Sequence, residues 1–562
     1  MIKTKIVSSL EKAFIDESID KFTPVERISA LRGEKISLQL LYTYEDDEDE
    51  FYKVRATPRL EGALAEHISL YNVENVPVIK PATYGNVDDG FLRTSPGLYP
   101  DLLTPLRYNG KIVIMRGATE DALESLWIEI DIPEDCPVTG ECALDISLIS
   151  EIDGSVLAKS SVTVDVIDAA LPEQRLIYTQ WFYCDCLADY YGVPVWSERH
   201  WEIIENYAKT AVKCGINMLL TPVFTPPLDT AVGGERPTTQ LVGVKKNSGR
   251  YTFSYKLLDR WIDMCNRVGI KYLEISHLFT QWGATHAPKI MATVDGEYKK
   301  IFGWDTDAHG EEYKKFIRSF LGSFLNHMKK RGDDGRCYFH ISDEPNEEQL
   351  PDYKKSKKIV EGILKEYVIM DALSSYEFYK RGIVKTPIPS NDHIQKFIDN
   401  NTENLWTYYC CGQCVKVSNR LIAMPSWRNR SIGMQMFKYN IVGFLHWGYN
   451  FYNNQHSVNA VNPYVDFSGE KWVPAGDTHS VYPTRDGGAL PSMRAVVFYE
   501  ALEDMRAMQL CESLYSHEEV VAAIEDTLGY PVAFDKCAGN AAEILAVREK
   551  INSMIRAAKG RI

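Results

Sequence analysis

The heptapeptide FHISDEP, residues 339–345, places two carboxylates side by side at the end of an apolar run. Asp343 and Glu344 are neighbours in the chain, and Pro345 follows them directly. Neighbouring side chains on a regular strand point to opposite faces, so the two acids could not face each other there. Because proline lacks an N–H and restricts the residue before it, we expect pairing to break at Pro345 and both carboxylates to lean over one face. A solvated turn is the alternative interpretation.

Two acids in one site can hydrolyse a glycosidic bond. Most retaining glycosidases hold an acid and a nucleophile ~5–5.5 Å apart, inverting ones hold their acids further apart, and either pair is most simply built from two strands. Adjacent acids fit the substrate-assisted exception better, in which the 2-acetamido oxygen of the sugar is the nucleophile. Glu344 would then protonate the leaving oxygen and later deprotonate water. Asp343 would orient the acetamido N–H and stabilise the positive oxazolinium intermediate.

The elements around this motif predict a parallel α/β fold. Eight apolar runs alternate with amphipathic helical stretches after residue 170. Over about 280 residues, this pattern favours a (β/α)8 TIM barrel over a doubly wound sheet, because no Gly-rich phosphate-binding turn is present. The runs begin at Arg175, Ile216, Lys271, Arg336, Tyr367, Thr386, Asn404 and Ile441.

Two further regions flank the predicted barrel. Hydrophobic residues alternate with polar ones up to about residue 170, which predicts an N-terminal β-sandwich over residues 1–170. One such face holds Leu126, Ile128, Ile130 and Ile132. We expect a linker at 171–175, the catalytic barrel over 175–510 and a C-terminal helical segment over 511–562, with the last helix packed on the barrel. The acidic run at 45–50 predicts a solvated loop, because it lacks the spacing and the glycine of an EF-hand calcium site.

Active-site residues of a TIM barrel gather at the carboxyl ends of its strands. These ends contain few acids and many aromatic residues, as in a sugar site, where apolar C–H faces stack on aromatic rings and polar groups bind the hydroxyls. Packing inside the barrel is the alternative for any single aromatic residue. The candidate substrate-binding residues at the strand ends are Trp181, His277, His340, Tyr376, Trp406, Tyr408, Trp447, Tyr449 and Asn450.

Composition narrows the classes of partner. A net charge of −15 disfavours nucleic acid and acidic membrane surfaces. The charged start has no apolar core of signal-peptide length, and no stretch approaches the ~20 apolar residues that span a bilayer. We therefore expect a cytoplasmic protein that acts on a small glycan or glycoside. Twelve cysteines are too sparse for a disulfide scaffold and lack zinc spacing, so we predict no metal and no cofactor.

The chain resembles glycoside hydrolase family 123 and the wider group of bacterial proteins that share its catalytic domain. The likeness spans roughly residues 1–510 and rests on the β-sandwich, on HISDEP at the fourth strand end, on DGFLRTSPGLYPDLLTPL from Asp89 and on PSMRAVVFYEALEDMRAM from Pro491. It implies a retaining β-N-acetylgalactosaminidase in which Asp343 orients the acetamido group and Glu344 is the acid/base. The similar loop YPTRDGGALPSMR adds Tyr482 and Arg485 as candidate substrate-binding residues.

Three hypotheses follow for the function. The first is an exo-acting β-N-acetylgalactosaminidase or a close N-acetylhexosaminidase. The second is a glycosidase of the same fold that acts on a sugar without the acetamido group, with a second carboxylate such as Asp371 or Asp392 near Glu344. The third is a noncatalytic carbohydrate-binding protein.

Overall fold

The computed structural model describes residues 2–44, 52–106, 110–116 and 122–559. The loop predicted at 45–50 lies outside these residues. Within them, no helix is long and apolar enough to cross a bilayer, and no group of three His, Cys, Asp or Glu side chains is arranged to hold a metal ion.

The N-terminal region consists of two five-stranded sheets. Its strands are β1 (Ile2–Ser8), β2 (Arg27–Arg32), β3 (Glu34–Tyr44), β4 (Tyr52–Glu61), β5 (Ile68–Val78), β6 (Gly97–Pro105), β7 (Ile112–Arg116), β8 (Glu124–Ile132), β9 (Gly140–Ser150) and β10 (Val156–Ala170). One sheet has the order β1-β3-β8-β5-β6 and the other the order β2-β10-β9-β4-β7. All neighbouring strands are antiparallel except β2 and β10, which run parallel.

The alternating pattern of the sequence builds the core between these sheets. The apolar face of β8, predicted from its period of two, is fully buried. It packs in one cluster with Leu144 and Ile146 of β9 and with Val162 and Val164 of β10. Such a core is typical of a β-sandwich, and the predicted N-terminal fold is confirmed.

Within the described residues, fourteen strands follow. They are β11 (Ile177–Gln180), β12 (Met218–Thr221), β13 (Gly243–Asn247), β14 (Arg250–Ser254), β15 (Tyr272–Ile275), β16 (Ile290–Val294), β17 (Glu297–Phe302), β18 (Cys337–Phe339), β19 (Val368–Ala372), β20 (Thr386–Ile388), β21 (Trp406–Tyr408), β22 (Gly443–His446), β23 (Val481–Pro483) and β24 (Ala489–Pro491).

Eight of these strands form the predicted barrel. β11, β12, β15, β18, β19, β20, β21 and β22 are parallel and follow each other in chain order, with β22 returning to β11; all neighbours pair as strands except β20 and β21. The segment directly after β20 connects to β21 through two hydrogen bonds, from Tyr408 N to Pro389 O (3.1 Å) and from Asn391 N to Tyr408 O (2.9 Å). Each of the eight apolar runs contributes one strand, so the predicted fold class is confirmed. The loops after β12 and β15 add a small sheet of order β14-β13-β16-β17.

Helices surround the barrel and complete the C-terminal region. The α-helices span Cys184–Tyr191, Glu198–Lys213, Lys256–Val268, Glu311–Arg331, Leu350–Val360, Tyr376–Lys380, Gln395–Asp399, Ser426–Arg430, Ile432–Lys438, Met493–Glu512, His517–Leu528 and Ala541–Lys559. Short 3-10 turns span Ile19–Lys21, Ala65–His67, Asp334–Arg336, Glu347–Gln349 and Gln455–Ser457. Helix Glu311–Arg331 buries Phe316, Phe320 and Phe324, whose spacing of four places them on one face.

The last helix, which the sequence predicted to pack on the barrel, also contacts the sandwich. Arg548 donates to Glu34 in β3 (2.7 Å) and to Asp504 in helix Met493–Glu512 (3.1 Å). Glu549 accepts a hydrogen bond from the backbone N–H of Ser29 in β2 (2.7 Å). The helix therefore ties the two parts of the chain together.

A buried ion pair also joins the sandwich to the barrel region. Arg494 binds Asp101 of β6 through two hydrogen bonds of 2.7 and 2.9 Å, and Tyr482 donates a third to the same carboxylate. Burial alone would raise the pKa of Asp101, but the charge and hydrogen bonds of Arg494 hold it below its usual value. The nearby Lys12 donates to Ile422 O (2.7 Å). This contact is stable only while both charges are present, because neither group is hydrated at this buried position.

The variant Asp101→Asn tests that dependence. We expect the free energy of unfolding to fall by about 3–5 kcal/mol, because the buried guanidinium loses its carboxylate partner. Urea denaturation followed by tryptophan fluorescence measures the change. The matched control is Glu202→Gln, which removes an exposed partner of Arg199 and should leave the transition in place. Identical transitions for both variants would contradict the proposed dependence.

Candidate active site

A cavity of about 180 Å³ opens at the carboxyl ends of the barrel strands. Three carboxylates line it, those of Asp229, Asp343 and Glu344. Its aromatic walls are formed by Trp181, Tyr183, Trp282, Tyr408, Trp447 and Trp472. Acids held between aromatic planes can bind a sugar ring by stacking and exchange protons with it.

The break that turns the acid pair into the cavity comes earlier than Pro345. Strand β18 ends at Phe339, and the Asp371 carboxylate accepts the backbone N–H groups of Ile341 (3.0 Å) and Ser342 (3.3 Å). A side chain thus occupies the place of a strand partner, so the ladder between β18 and β19 stops. The sequence predicted a break at the proline because a distant carboxylate leaves no mark on the motif.

The backbone at the acid pair is strained and held from three sides. Glu344 has a φ of +41°, in the left-handed region that costs a non-glycine residue roughly 1–3 kcal/mol. Its N–H donates to Ala372 O (3.1 Å), and its carboxylate accepts from the Tyr408 hydroxyl. The carbonyl of Asp343 accepts from Trp282 N (3.2 Å). These contacts hold the backbone of both acids and the direction of the Glu344 carboxylate.

Both acids of the pair retain protons more tightly than free carboxylic acids. Burial, and then the charge of Glu344, raises the pKa of Asp343 well above its usual range. Burial raises the pKa of Glu344 as well, against the opposing hydrogen bond from Tyr408. Glu344 keeps an exposed surface towards solvent, but the protein around it still excludes enough water for this effect. Two acids so close titrate as one unit, and the second proton is lost only with difficulty.

A charged histidine lies in the barrel beneath the cavity. His340 is fully buried between Glu274, 2.7 Å from its Nε2, and Asp371, 3.2 Å from its Nδ1. Burial would lower the pKa of His340, but the hydrogen bonds and charges of these two carboxylates raise it to about 10. Glu274 also accepts from Trp181 Nε1 (2.8 Å). The imidazolium is therefore connected through Asp371 to the backbone that carries the acid pair, and through Glu274 to the aromatic wall at Trp181.

His277 lies next to that charge and is neutral. Its ring stacks on His340 with the centroids 4.3 Å apart, and its edge meets Trp181. Burial, followed by the positive charge of His340, lowers the pKa of His277 well below its usual value. Neither ring nitrogen has a hydrogen-bond partner among the described residues.

Another wall is built on Trp447, which directly follows β22, the strand that pairs with β11. Its indole N–H donates to Asp477 (2.8 Å), and its ring packs on Trp472 at a centroid distance of 5.5 Å. The neighbouring His446 is buried, and burial together with the charge of Arg420 lowers its pKa to about 3. This wall is therefore fixed without a charged histidine.

Asp229 enters the cavity from the loop after β12. It has a φ of +40°, its N–H donates to Gln281 Oε1 (2.8 Å), and its carboxylate accepts from His456 N (3.1 Å). Burial raises the pKa of Asp229 to about 6, although Arg236 acts in the opposite direction. A carboxylate in this position can accept a hydroxyl group of a ligand.

The cavity brings together five of the candidate residues: Trp181, Asp343, Glu344, Tyr408 and Trp447. His277 and His340 lie beneath it, and Tyr376 lies in an adjoining depression with Glu344 and Tyr408. The four other candidates that are buried, together with Arg485, lie outside the cavity. Trp406 packs on Tyr338 at the amino end of its strand, Tyr449 donates to Tyr207 O, Asn450 binds the backbone of Tyr183, Tyr482 binds Asp101, and Arg485 is exposed in the β23–β24 turn.

The lining residues that sequence reasoning missed include Asp229, Gln281, Trp282 and Trp472. These four come from loops, where no hydrophobic period indicates the direction of a side chain. The segment QWG, which carries Trp282 in the loop after β15, was the one available signal.

A family model described as the glycoside hydrolase 123 catalytic domain matches residues 181–511, more than half of the chain. The protein therefore belongs to glycoside hydrolase family 123. The matched segment contains the whole cavity and the acid pair.

One solved structure shows the same fold along the whole chain. A family 123 glycoside hydrolase from Clostridium perfringens, studied for the hydrolysis of glycolipid glycans, has a TM-score of 0.75 and 15% sequence identity, over 100% of this chain and 98% of that chain. β-Glucuronidase 2 from Bacteroides uniformis, in a calcium-binding mutant, has a TM-score of only 0.29 at 10% identity, over 86% of this chain and 48% of that chain. No curated protein sequence shows significant similarity.

The charge on His340 can be tested by titration. We expect His340 to stay doubly protonated beyond pH 8, because its pKa is raised to about 10 from an ordinary value of 6.5. A raised pKa stabilises the fold below about pH 6.5 and loses this contribution as the pH rises towards 10. Histidine-selective ¹⁵N NMR measures the protonation, and urea denaturation at several pH values measures the stability.

The variant His340→Gln provides the comparison, because its side chain cannot take up a proton. Its stability should lack the decline that the wild-type protein shows between pH 6.5 and 10. A wild-type spectrum in which every histidine loses its proton below pH 7 would contradict the assignment, even if the variant fails to fold.

Proposed function

We propose that the protein is a retaining exo-glycosidase that releases terminal β-linked N-acetylgalactosamine, or a related N-acetylhexosamine, with the 2-acetamido group of the substrate as nucleophile. The observation that carries this proposal is the pair of adjacent acids in one aromatic-walled cavity. At about 180 Å³, the cavity is smaller than the roughly 300–1,000 Å³ of pockets for drug-sized ligands, which suits one terminal sugar.

In the first step, the sugar ring lies between the aromatic walls of Trp181 and Trp447. The Asp343 carboxylate accepts the acetamido N–H and thereby turns the acetamido oxygen towards C1. As this oxygen bonds to C1, the bond from C1 to the leaving oxygen breaks, and Glu344 gives its proton to that oxygen. The negative charge of Asp343 stabilises the positive oxazolinium intermediate.

In the second step, Glu344 takes a proton from water, and the water oxygen bonds to C1. The bond between C1 and the acetamido oxygen breaks, the acetamido group is restored, and the β configuration is retained. This cycle needs one proton on the pair, on Glu344, at the start. Burial raises the pKa of both acids, which supports retention of a proton by the pair, and the acetamido N–H favours the ionised form of Asp343.

Conventional hydrolysis with two carboxylates is the second candidate, and the position of Asp229 favours it. The two partners suggested from the sequence are occupied elsewhere: Asp371 binds His340 and the backbone, and Asp392 lies in the adjoining depression. Asp229, in contrast, comes from the loop after β12 and lines the cavity with the acid pair.

Variants of the acid pair test the proposal on nitrophenyl β-N-acetylgalactosaminide and β-N-acetylglucosaminide. For Asp343→Asn we expect kcat to fall by about 10²–10³-fold, because the intermediate loses its stabilising charge. For Glu344→Gln we expect a loss of about 10²–10⁴-fold on alkyl glycosides, and a smaller one on nitrophenyl glycosides, whose leaving group needs less protonation.

Inhibition by a thiazoline analogue of the oxazolinium serves as the control for the proposed role of Asp343. The analogue should inhibit the wild-type enzyme and bind Asp343→Asn more weakly. The alkaline limb of the kcat/KM profile should disappear in Glu344→Gln, because the proton that is lost at high pH is absent. Absence of turnover on both N-acetylhexosaminides, or an unchanged kcat in Asp343→Asn, would refute the proposal.

Asp229→Asn separates the two candidate mechanisms. Under substrate assistance we expect a higher KM and retained thiazoline inhibition, because Asp229 only orients the sugar. If Asp229 is instead the nucleophile or the base, its loss should reduce kcat as much as Glu344→Gln does, and added azide should restore turnover. Steady-state kinetics with and without azide distinguish these results.

A further inference from the structure

The loop between β5 and β6 of the sandwich, residues 79–96, extends to the barrel region and contacts the segment that carries Trp472. The ammonium group of Lys80 donates to Lys471 O (2.9 Å) and to Trp472 O (3.0 Å). The carbonyl of Lys80 accepts a hydrogen bond from Ala475 N (2.8 Å). One residue of the sandwich therefore holds the backbone on both sides of a tryptophan that lines the cavity.

The same loop reaches a second segment of the cavity. Asn86 donates to Gly412 O (3.2 Å), and Asp88 accepts from Lys416 N (2.6 Å). Gly412 directly follows Cys411, which lines the cavity. The sandwich thus contacts two cavity segments, although none of the described lining residues belongs to it.

The backbone before Trp472 needs such support. Gly469, Glu470 and Lys471 have consecutive φ values of +58°, +58° and +67°, in the left-handed region. This conformation costs free energy at the two non-glycine residues, so it persists only where surrounding contacts stabilise it. Asn454 Nδ2 provides one such contact, to the Glu470 carboxylate (2.6 Å), and Lys80 provides the two at the end of the turn.

The turn determines where the Trp472 ring lies. The N–H of Trp472 donates to Gly469 O (3.3 Å), so the residue continues directly from the turn. Its half-buried ring packs on Trp447 at a centroid distance of 5.5 Å and on Phe451 at 6.3 Å. Hydrogen bonds from a charged donor are stronger than neutral ones, so the ammonium of Lys80 can hold the turn in its strained conformation.

We propose that Lys80 is a positioning residue for the hydrolysis: by binding the carbonyls of Lys471 and Trp472, it fixes the indole of Trp472 in the wall that this ring forms with Trp447. Lys80 does not line the cavity and acts only through Trp472. The sandwich thereby takes part in substrate binding. The inference rests on the proposed function and adds to it the residue outside the barrel that supports the sugar-binding wall.

The position of the Trp472 ring can be measured without a substrate. Protein labelled with 5-fluorotryptophan gives one ¹⁹F NMR signal for each tryptophan, and Trp472→Phe identifies the signal of Trp472. We expect Lys80→Met to shift or broaden this signal, because the turn loses both hydrogen bonds to its carbonyls. The signals of tryptophans away from the cavity should stay in place, which shows that the fold is retained.

Two further variants accompany this measurement. Lys80→Gln has an amide too short to reach both carbonyls, should shift the same signal, and decides the question if Lys80→Met does not fold. Lys159→Met is the matched control, because it removes an exposed lysine of the same sandwich that pairs only with Asp145, and it should leave the signal unchanged.

Steady-state kinetics on nitrophenyl β-N-acetylgalactosaminide test the consequence for binding. In Lys80→Met we expect KM to rise by about three- to tenfold, the size of a lost aromatic contact. The kcat value should change little, because the wall binds the ground state and the transition state alike. Lys80→Arg should return KM towards the wild-type value, since a guanidinium group has enough donors for both carbonyls.

A double variant separates action through Trp472 from a general structural role. Trp472→Ala should raise KM by itself, and the addition of Lys80→Met to it should raise KM no further, because the ring that Lys80 positions is already absent. If the two effects on KM multiply instead, Lys80 acts by another route and the inference is overturned.

The remaining outcomes are also decisive. An unchanged Trp472 signal in Lys80→Met, or a fall in kcat at constant KM, would overturn the inference. Failure of the wild-type protein to cleave any N-acetylhexosaminide is instead the failure of the proposed function, and the ¹⁹F signal of Trp472 then still decides whether Lys80 positions the ring.

Discussion

The buried Asp371 carboxylate is the interaction on which the geometry of the site depends. It accepts two backbone N–H groups from the chain after β18, the Tyr353 hydroxyl and a ring N–H of His340. Without these bonds, the segment that carries the acids would extend as a regular strand beside β19, and its neighbouring side chains would point to opposite faces. Burial raises the pKa of Asp371, and the donors around it oppose that shift.

From Asp371 the same electrostatic network reaches the aromatic wall. His340 carries its charge between two carboxylates, and the second of these, Glu274, also holds the indole of Trp181. Buried ion pairs contribute little to stability on balance, since desolvation offsets their attraction. Here these ion pairs fix positions, because one set of hydrogen bonds holds both the segment that carries the acids and the ring that would face a sugar.

The parts of this arrangement that the sequence predicted are those with a local pattern. Eight apolar runs gave eight barrel strands, even the short β20, and the adjacent acids were visible in one heptapeptide. Residue type did not distinguish Trp181 and Trp447, which line the cavity, from Trp406 and Tyr449, which pack elsewhere. Trp406 and Tyr408 are two residues apart on one strand, so both side chains face the inside of the barrel. Only Tyr408 lies at the carboxyl end of that strand. Asp229 and Trp472 come from loops whose paths depend on long-range contacts.

On a regular strand, the two adjacent acids would point to opposite faces of the sheet. Once the strand has ended, their adjacency becomes an advantage. Asp343 lines only the cavity, whereas Glu344 also lines the adjoining depression that contains Tyr376. Substrate assistance needs one carboxylate at the acetamido group of the terminal sugar and the other at the oxygen that joins it to the leaving group. In the proposed mechanism, two neighbours on a strained turn would reach these places, and the strain at Glu344 is the local cost of that turn.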